Sequence, residues 1–71
     1  MAFSRIYAEI AKLLLERKTL TSYDLRELEM MYGDAARDAI DALVTAGAAK
    51  RVGSRVEAVD LDKLKRIARM R

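Results

Sequence analysis

The sequence predicts a mainly α-helical domain with one small β-hairpin, in the order helix, helix, turn, helix, hairpin, helix. Three observations carry that reading. Apolar residues recur at helical spacing in several segments, the spacing switches to period two after Gly47, and Thr21, Asp34 and Asp60 each stand where a helix start needs a capping oxygen. A chain of 71 residues supports one core, so residues 1–71 are read as a single domain.

The first helix is expected from about Ser4 to Lys18. Phe3, Ile6, Tyr7, Ile10, Leu13 and Leu14 fall within about 120° of its circumference at 100° per residue. Leu15 lies almost opposite, beside Ala8 and Ala11. Two readings stay open for that second face: one exposed leucine on a solvated side, or a contact stripe for a partner helix or a dimer mate.

The second helix has the clearest boundary. Thr21 can cap with its hydroxyl, Asp24 can reach back to the Thr21 amide, and Leu20 and Leu25 occupy the two staple positions around that box. The helix is expected from Ser22 to about Met30, burying Leu25, Leu28 and one methionine. A turn at Met31-Tyr32-Gly33 follows. Asp34 is then expected to cap a third helix, Ala35 to Ala46, with Ala36, Ala39, Ile40, Leu43 and Val44 buried and Gly47 as its stop.

From Ala48 to Val59 the pattern reads as a hairpin around Gly53-Ser54, a register that places Lys50 opposite Glu57. Asp60 caps a last short helix. Its inner face is Leu61, Leu64 and Ala68, with Ile67 at the edge and Lys65, Arg66 and Arg69 outside.

Absences narrow the chemistry. There is no Cys and no His, which excludes disulfides, thiolate metal sites and the commonest neutral-pH general base. The three glycines are too scattered for a phosphate loop, and no enzyme or cofactor is expected. Asp34, Asp38 and Asp41 share a helical face, but a straight helix cannot wrap six oxygens around a hard cation. Asn and Gln are also absent while 35% of residues are charged, the composition reported for hyperthermophile proteins. It points to a hot-environment archaeon or bacterium, or one of its viruses. No apolar run reaches membrane-spanning length and the start lacks a signal-peptide pattern, so a cytoplasmic location is expected.

Charge is unevenly spread. Residues 1–21 carry +2, residues 22–46 carry −4 and residues 47–71 carry +5. A polyanion, or an acidic protein face, would favour the basic end.

The stretches Leu20-Thr21-Ser22-Tyr23-Asp24-Leu25-Arg26-Glu27-Leu28, Ala36-Arg37-Asp38-Ala39-Ile40-Asp41-Ala42-Leu43-Val44-Thr45-Ala46-Gly47 and Ala48-Ala49-Lys50-Arg51-Val52-Gly53-Ser54-Arg55-Val56 resemble, in that order, the positioning helix, third helix and strand–wing–strand of the winged helix-turn-helix family, in a small archaeal, thermophile or viral form. The resemblance covers nearly the whole chain. It implies a winged-helix fold and a nucleic-acid-binding role, such as transcription regulation, although such folds bind DNA, RNA and proteins alike. The family's usual DNA mode would put the third helix in the major groove. Here that helix presents Asp34, Asp38 and Asp41 against Arg37, which would set like charges against phosphate.

The wing and tail are the better interface. Lys50, Arg51 and Arg55 on the hairpin, with Lys63, Lys65, Arg66, Arg69 and Arg71 after it, are expected to contact the phosphates of DNA or structured RNA, and Arg5, Lys12, Arg17 and Lys18 can add to them. Without an aromatic platform, single-strand stacking is not expected. The alternative is a protein-interaction module, or a small subunit of a replication, transcription or ribosomal assembly, docking through Asp34, Asp38 and Asp41. A homodimer through Ala8, Ala11 and Leu15 is compatible with either.

Overall fold

The computed structural model describes residues 3–69. Arg71 and the side chain of Phe3, both invoked above, lie outside that description. The elements are α1 (Phe3–Arg17), β1 (Thr19–Leu20), α2 (Ser22–Tyr32), α3 (Asp34–Thr45), β2 (Ala49–Val52), β3 (Arg55–Ala58) and α4 (Leu61–Ala68). The architecture is mainly helical with a small three-stranded antiparallel sheet in the order β1-β3-β2.

Helix α1 packs against both α3 and α4. Two partners require two apolar faces, and the sequence supplies both. Ile10 and Leu14 are fully buried on one side, while Ala8 and Ala11 are buried and Leu15 is half-buried against the core. Of the stripe expected to meet a dimer mate, Ala8 and Ala11 are thus covered within a single chain, and Leu15 alone keeps part of its surface exposed. Small side chains at positions 8 and 11 let a neighbouring helix approach closely.

The helix ends at Lys18, a non-glycine residue with φ of 68°. That conformation costs an L-residue about 1–2 kcal/mol. It turns the chain out of α1 so that the Lys18 carbonyl accepts from the Ala58 amide at 2.8 Å, and β1 then pairs with β3. The sequence reading had no strand here. Two residues carry no period, and the partner lies far along the chain.

Helix α2 begins as its sequence predicts. The Asp24 amide donates to Thr21 Oγ1 at 3.2 Å and the Thr21 amide donates to Asp24 Oδ2 at 3.1 Å. Leu20 is fully buried and Leu25 half-buried, as a hydrophobic staple requires. The hydrogen bond from the Thr21 backbone, seconded by the Thr21 hydroxyl interaction and Arg17, holds the Asp24 carboxyl below the usual carboxylate range. Its contribution to stability is therefore present above the ordinary Asp value and is lost as pH falls through the lowered one.

The helix runs past the expected end at Met30. It stops at Tyr32, and Gly33 alone joins it to α3. Gly33 sits at φ 67°, ψ −143°, donates to the Glu29 carbonyl at 2.7 Å and accepts from the Ala36 amide at 3.1 Å. A Cβ there would meet nothing within 4 Å, so backbone conformation rather than space demands glycine. Met30 and Met31 both stand in solvent, 81% and 66% exposed, where burial of one was expected. Asp34 is the first residue of α3 rather than its cap, since Gly33 takes that position without a side-chain bond. Its carboxylate still favours the helix N-terminus through the helix dipole.

Helix α3 buries Ala36, Ala39, Ile40 and Leu43 and leaves Val44 half-buried. It closes with paired reverse bonds, Gly47 N–H to the Val44 carbonyl and Ala48 N–H to the Leu43 carbonyl, both at 3.0 Å, with Gly47 at φ 81°. The hairpin follows in the expected register, with Lys50 opposite Glu57 and Arg51 opposite Val56. Asp60 then caps α4 by accepting from the Lys63 amide at 3.1 Å. Lys63 Nζ reaches back to the Ala46 carbonyl at 2.7 Å, tying the start of α4 to the end of α3. Leu64 is fully buried and Ile67 and Ala68 pack on the core, whereas Leu61, expected inside, is 40% exposed. No described helix is long and apolar enough to cross a membrane.

Replacing Thr21 with Ala removes the capping hydroxyl and should cost about 1 kcal/mol. Thermal denaturation should show this as a midpoint about 4–8 °C lower, and an unchanged midpoint would mean that the box does not hold the start of α2.

Candidate nucleic-acid interface

The cations expected to meet a polyanion fall into two groups with different surroundings. The first is the hairpin. Its pleat sends alternate residues to opposite faces, and the pairing register assigns them. Arg51 stands across from the buried Val56 on the core-side face, whereas Lys50 stands across from Glu57 on the other, with Arg55 two residues before Glu57 on the same strand. The sheet therefore divides Lys50 and Arg55 from Arg51, and they do not form one patch.

Each hairpin arginine also has a carboxylate. Arg51 Nη2 lies 2.6 Å from Asp41 Oδ1, linking β2 to α3. Arg55 Nη2 lies 3.3 Å from Glu57 Oε2 within β3. All four side chains are substantially solvent-exposed, so each pair contributes at most about 1 kcal/mol and is weakened by salt. The pairs nevertheless set a local competitor that a phosphate must displace. Charged residues on β2 also discourage pairing of another strand to that sheet edge.

The second group is α4. Lys65, Arg66 and Arg69 are exposed and, among the described residues, have no ion-pair partner. Helical geometry turns Arg66 and Arg69 away from Leu64, the residue that docks α4 onto the core, and sets Lys65 on the flank. Asp60 and Asp62 sit at the other end of the helix, where they suit its N-terminal dipole. Lys65 and Arg66 occupy its last turn.

Helix α3 presents Asp34, Arg37, Asp38, Asp41 and Thr45 to solvent, as its period predicts. Arg37 is not free to act on a ligand without exchange: it donates to Glu29 Oε2 from Nε at 3.3 Å and from Nη2 at 3.0 Å, bridging α3 to α2. That hydrogen bond, then the charges of Glu29 and Asp34, raise its already high pKa. With Arg37 and Arg51 drawn to acids, the α3 face keeps Asp38 with no ion-pair partner among the described residues. Asp34, Asp38 and Asp41 form no group able to hold a metal ion among the described residues. Of the other cations named, Arg17 is paired with Asp24 at 3.0 Å and Lys18 donates to the Leu15 carbonyl at 2.6 Å.

The carboxylate partners are what the sequence reading missed. Arg55 and Glu57 were visible in principle, since period two puts them on one face. Arg51 and Asp41 were not, because only the packing of the hairpin beside α3 brings them together.

A double-mutant cycle replacing Arg51 and Asp41 with Ala should return a coupling of about 0.2–1 kcal/mol that fades in high salt. A coupling well above that, persisting in high salt, would mean a desolvated strut rather than an exchangeable surface pair.

Neither a protein-family model, nor a curated protein, nor a solved structure matches the chain.

Proposed function

We propose that this chain is a small winged helix that binds duplex DNA through phosphate contacts, with the outer face of α4 as its principal charged surface and the wing as a secondary one. The observation that carries the reading is that Lys65 and Arg66 on α4 and Arg69 at its C-terminal cap stand exposed without acidic partners among the described residues. Phosphate can engage them without first displacing a carboxylate. Arg51 and Arg55 contribute only by exchanging Asp41 and Glu57 for phosphate oxygens, an exchange of similar charge-assisted bonds. The element order, with β1 between α1 and α2 and a hairpin after α3, supports the winged-helix reading.

The acidic face of α3 argues against the mode in which the third helix enters the major groove. Base readout there relies mostly on Arg and Lys. Here Arg37 is bonded to Glu29, and Asp34, Asp38 and Asp41 surround it. Binding is therefore backbone-directed and tolerant of sequence, and structured RNA is a second polyanion that the same charges can hold. The exposed aspartates favour one further reading, a module docking a basic protein patch through α3. In that case the DNA contacts are dispensable.

About four contacts, from Lys50, Lys65, Arg66 and Arg69, give a log–log salt slope near −3 to −4 for duplex DNA. Changing Lys65 and Arg66 to Ala should flatten the slope by about two units. Changing Asp41 to Asn frees Arg51 and should tighten binding. Fluorescence anisotropy over a salt series reads all three. Retention of the full slope by the Lys65/Arg66 variant would refute the α4 assignment, and no duplex or RNA binding at low salt would leave docking through α3.

A further inference from the structure

A second surface has no part in that reading. Helices α1 and α2 leave a groove of about 290 Å³ between them. Ile10, Leu13 and Leu28 form its floor, and Met31 and Tyr32 stand along its α2 wall. Met31 is 66% exposed although it borders this apolar floor, and Met30 beside it is 81% exposed. Adjacent exposed methionines beside an apolar groove are adaptable contact material: the unbranched thioether fits irregular apolar partners.

The dimensions select a shape. The α1 wall runs from Glu9 to Arg17, which at 1.5 Å per residue is about 12 Å. A helix of two turns, with apolar anchors at i, i+4 and i+7, matches that length. The charge around the groove selects a sign. Arg17 and Asp24, at one end, neutralise each other. Glu9 and Glu27 on the rim have no ion-pair partner among the described residues, and neither does Glu16 in the adjoining shallow depression, where Lys12 is the one opposing charge.

We infer that the α1–α2 groove docks an amphipathic helix of another protein, with apolar anchors on one face and Lys or Arg flanking them. Helix α4 of a second copy of this chain does not fit. That basic helix buries Leu64 in its own core and turns Lys65, Arg66 and Arg69 outward, so it offers charge without anchors. An anionic membrane surface is opposed by the glutamates. The site is separate from the proposed DNA surface, since no residue of α4 or the hairpin lines it.

The test is selection of peptides from a random displayed library against the full chain, with peptides of about 16 residues, long enough to form a helix. Enrichment of sequences with apolar residues at i, i+4 and i+7 flanked by Lys or Arg is the expected result. Synthetic versions of the selected peptides should bind the Met31→Glu and Glu27→Lys chains at least about tenfold more weakly. Both positions are exposed, so the denaturation midpoints of these variants should match wild type. The inference is overturned by no enrichment, by enrichment of acidic or non-periodic peptides, or by equal binding to the Met31→Glu chain. It is also overturned if sedimentation shows a dimer that Met31→Glu dissolves, which would make a second copy the occupant, or if Met31→Glu abolishes binding to lipid vesicles and no peptide is enriched.

Discussion

Helix α1 is covered on two sides at once, by α3 and by α4, and the rest of this short chain is arranged around it. A domain of this size buries a smaller fraction of its unfolded surface than larger ones do, so the faces its central helix covers weigh heavily in its stability. Ile10 and Leu14 serve one side, and Ala8, Ala11 and Leu15 extend the apolar surface around the helix. The alanines matter for what they lack: short side chains let a helix pack close without deep interdigitation. Docking of α4 is then fixed at both levels. Leu64 enters the core, and Asp60 and Lys63 tie its first turn to its own cap and to the end of α3. The outer face of α4 is a surface of the core's making, and its cations are presented from a positioned helix.

The same packing explains why the charges divide as they do. Bringing the hairpin beside α3 places Arg51 against Asp41, and bringing α2 beside α3 places Glu29 against Arg37. These pairs contribute little to stability individually, being exposed. Their effect is on the surface field, because they reduce the positive field of the hairpin and the negative field of α3 together. Lys65, Arg66 and Arg69, on and just after α4, keep unpaired positive charge, and Glu9 and Glu27 beside the α1–α2 groove keep unpaired negative charge, among the described residues.

Local chemistry was legible in the sequence wherever neighbours in the chain are neighbours in space. The Thr21–Asp24 box, the Asp60 cap, the Gly47 stop and the Lys50–Glu57 register all depend on residues a few positions apart. Features that depend on distant contacts were not. The strand β1 exists because β3 accepts it, and the face holding Ala8 and Ala11 is covered by the chain itself rather than by a dimer mate. The end of α2 is hidden for a different reason: a single glycine at φ 67° suffices to link two helices, so Met31 and Tyr32, which read as turn, are helical. For the candidate interface, the sequence located the cations but not their carboxylates or the faces of the sheet they occupy.

Hydrogen exchange of backbone amides tests most directly the claim that α4 is an integral wall of the core and a rigid platform for its cations. If it is, the amides of Leu64 and Ile67 in α4 exchange only through global opening, with the same free energy as those of Leu14 in α1 and Leu43 in α3. Exchange of the α4 amides by local opening at a far lower free energy, while α1 and α3 keep their protection, would contradict the account and reduce α4 to a loosely attached basic tail.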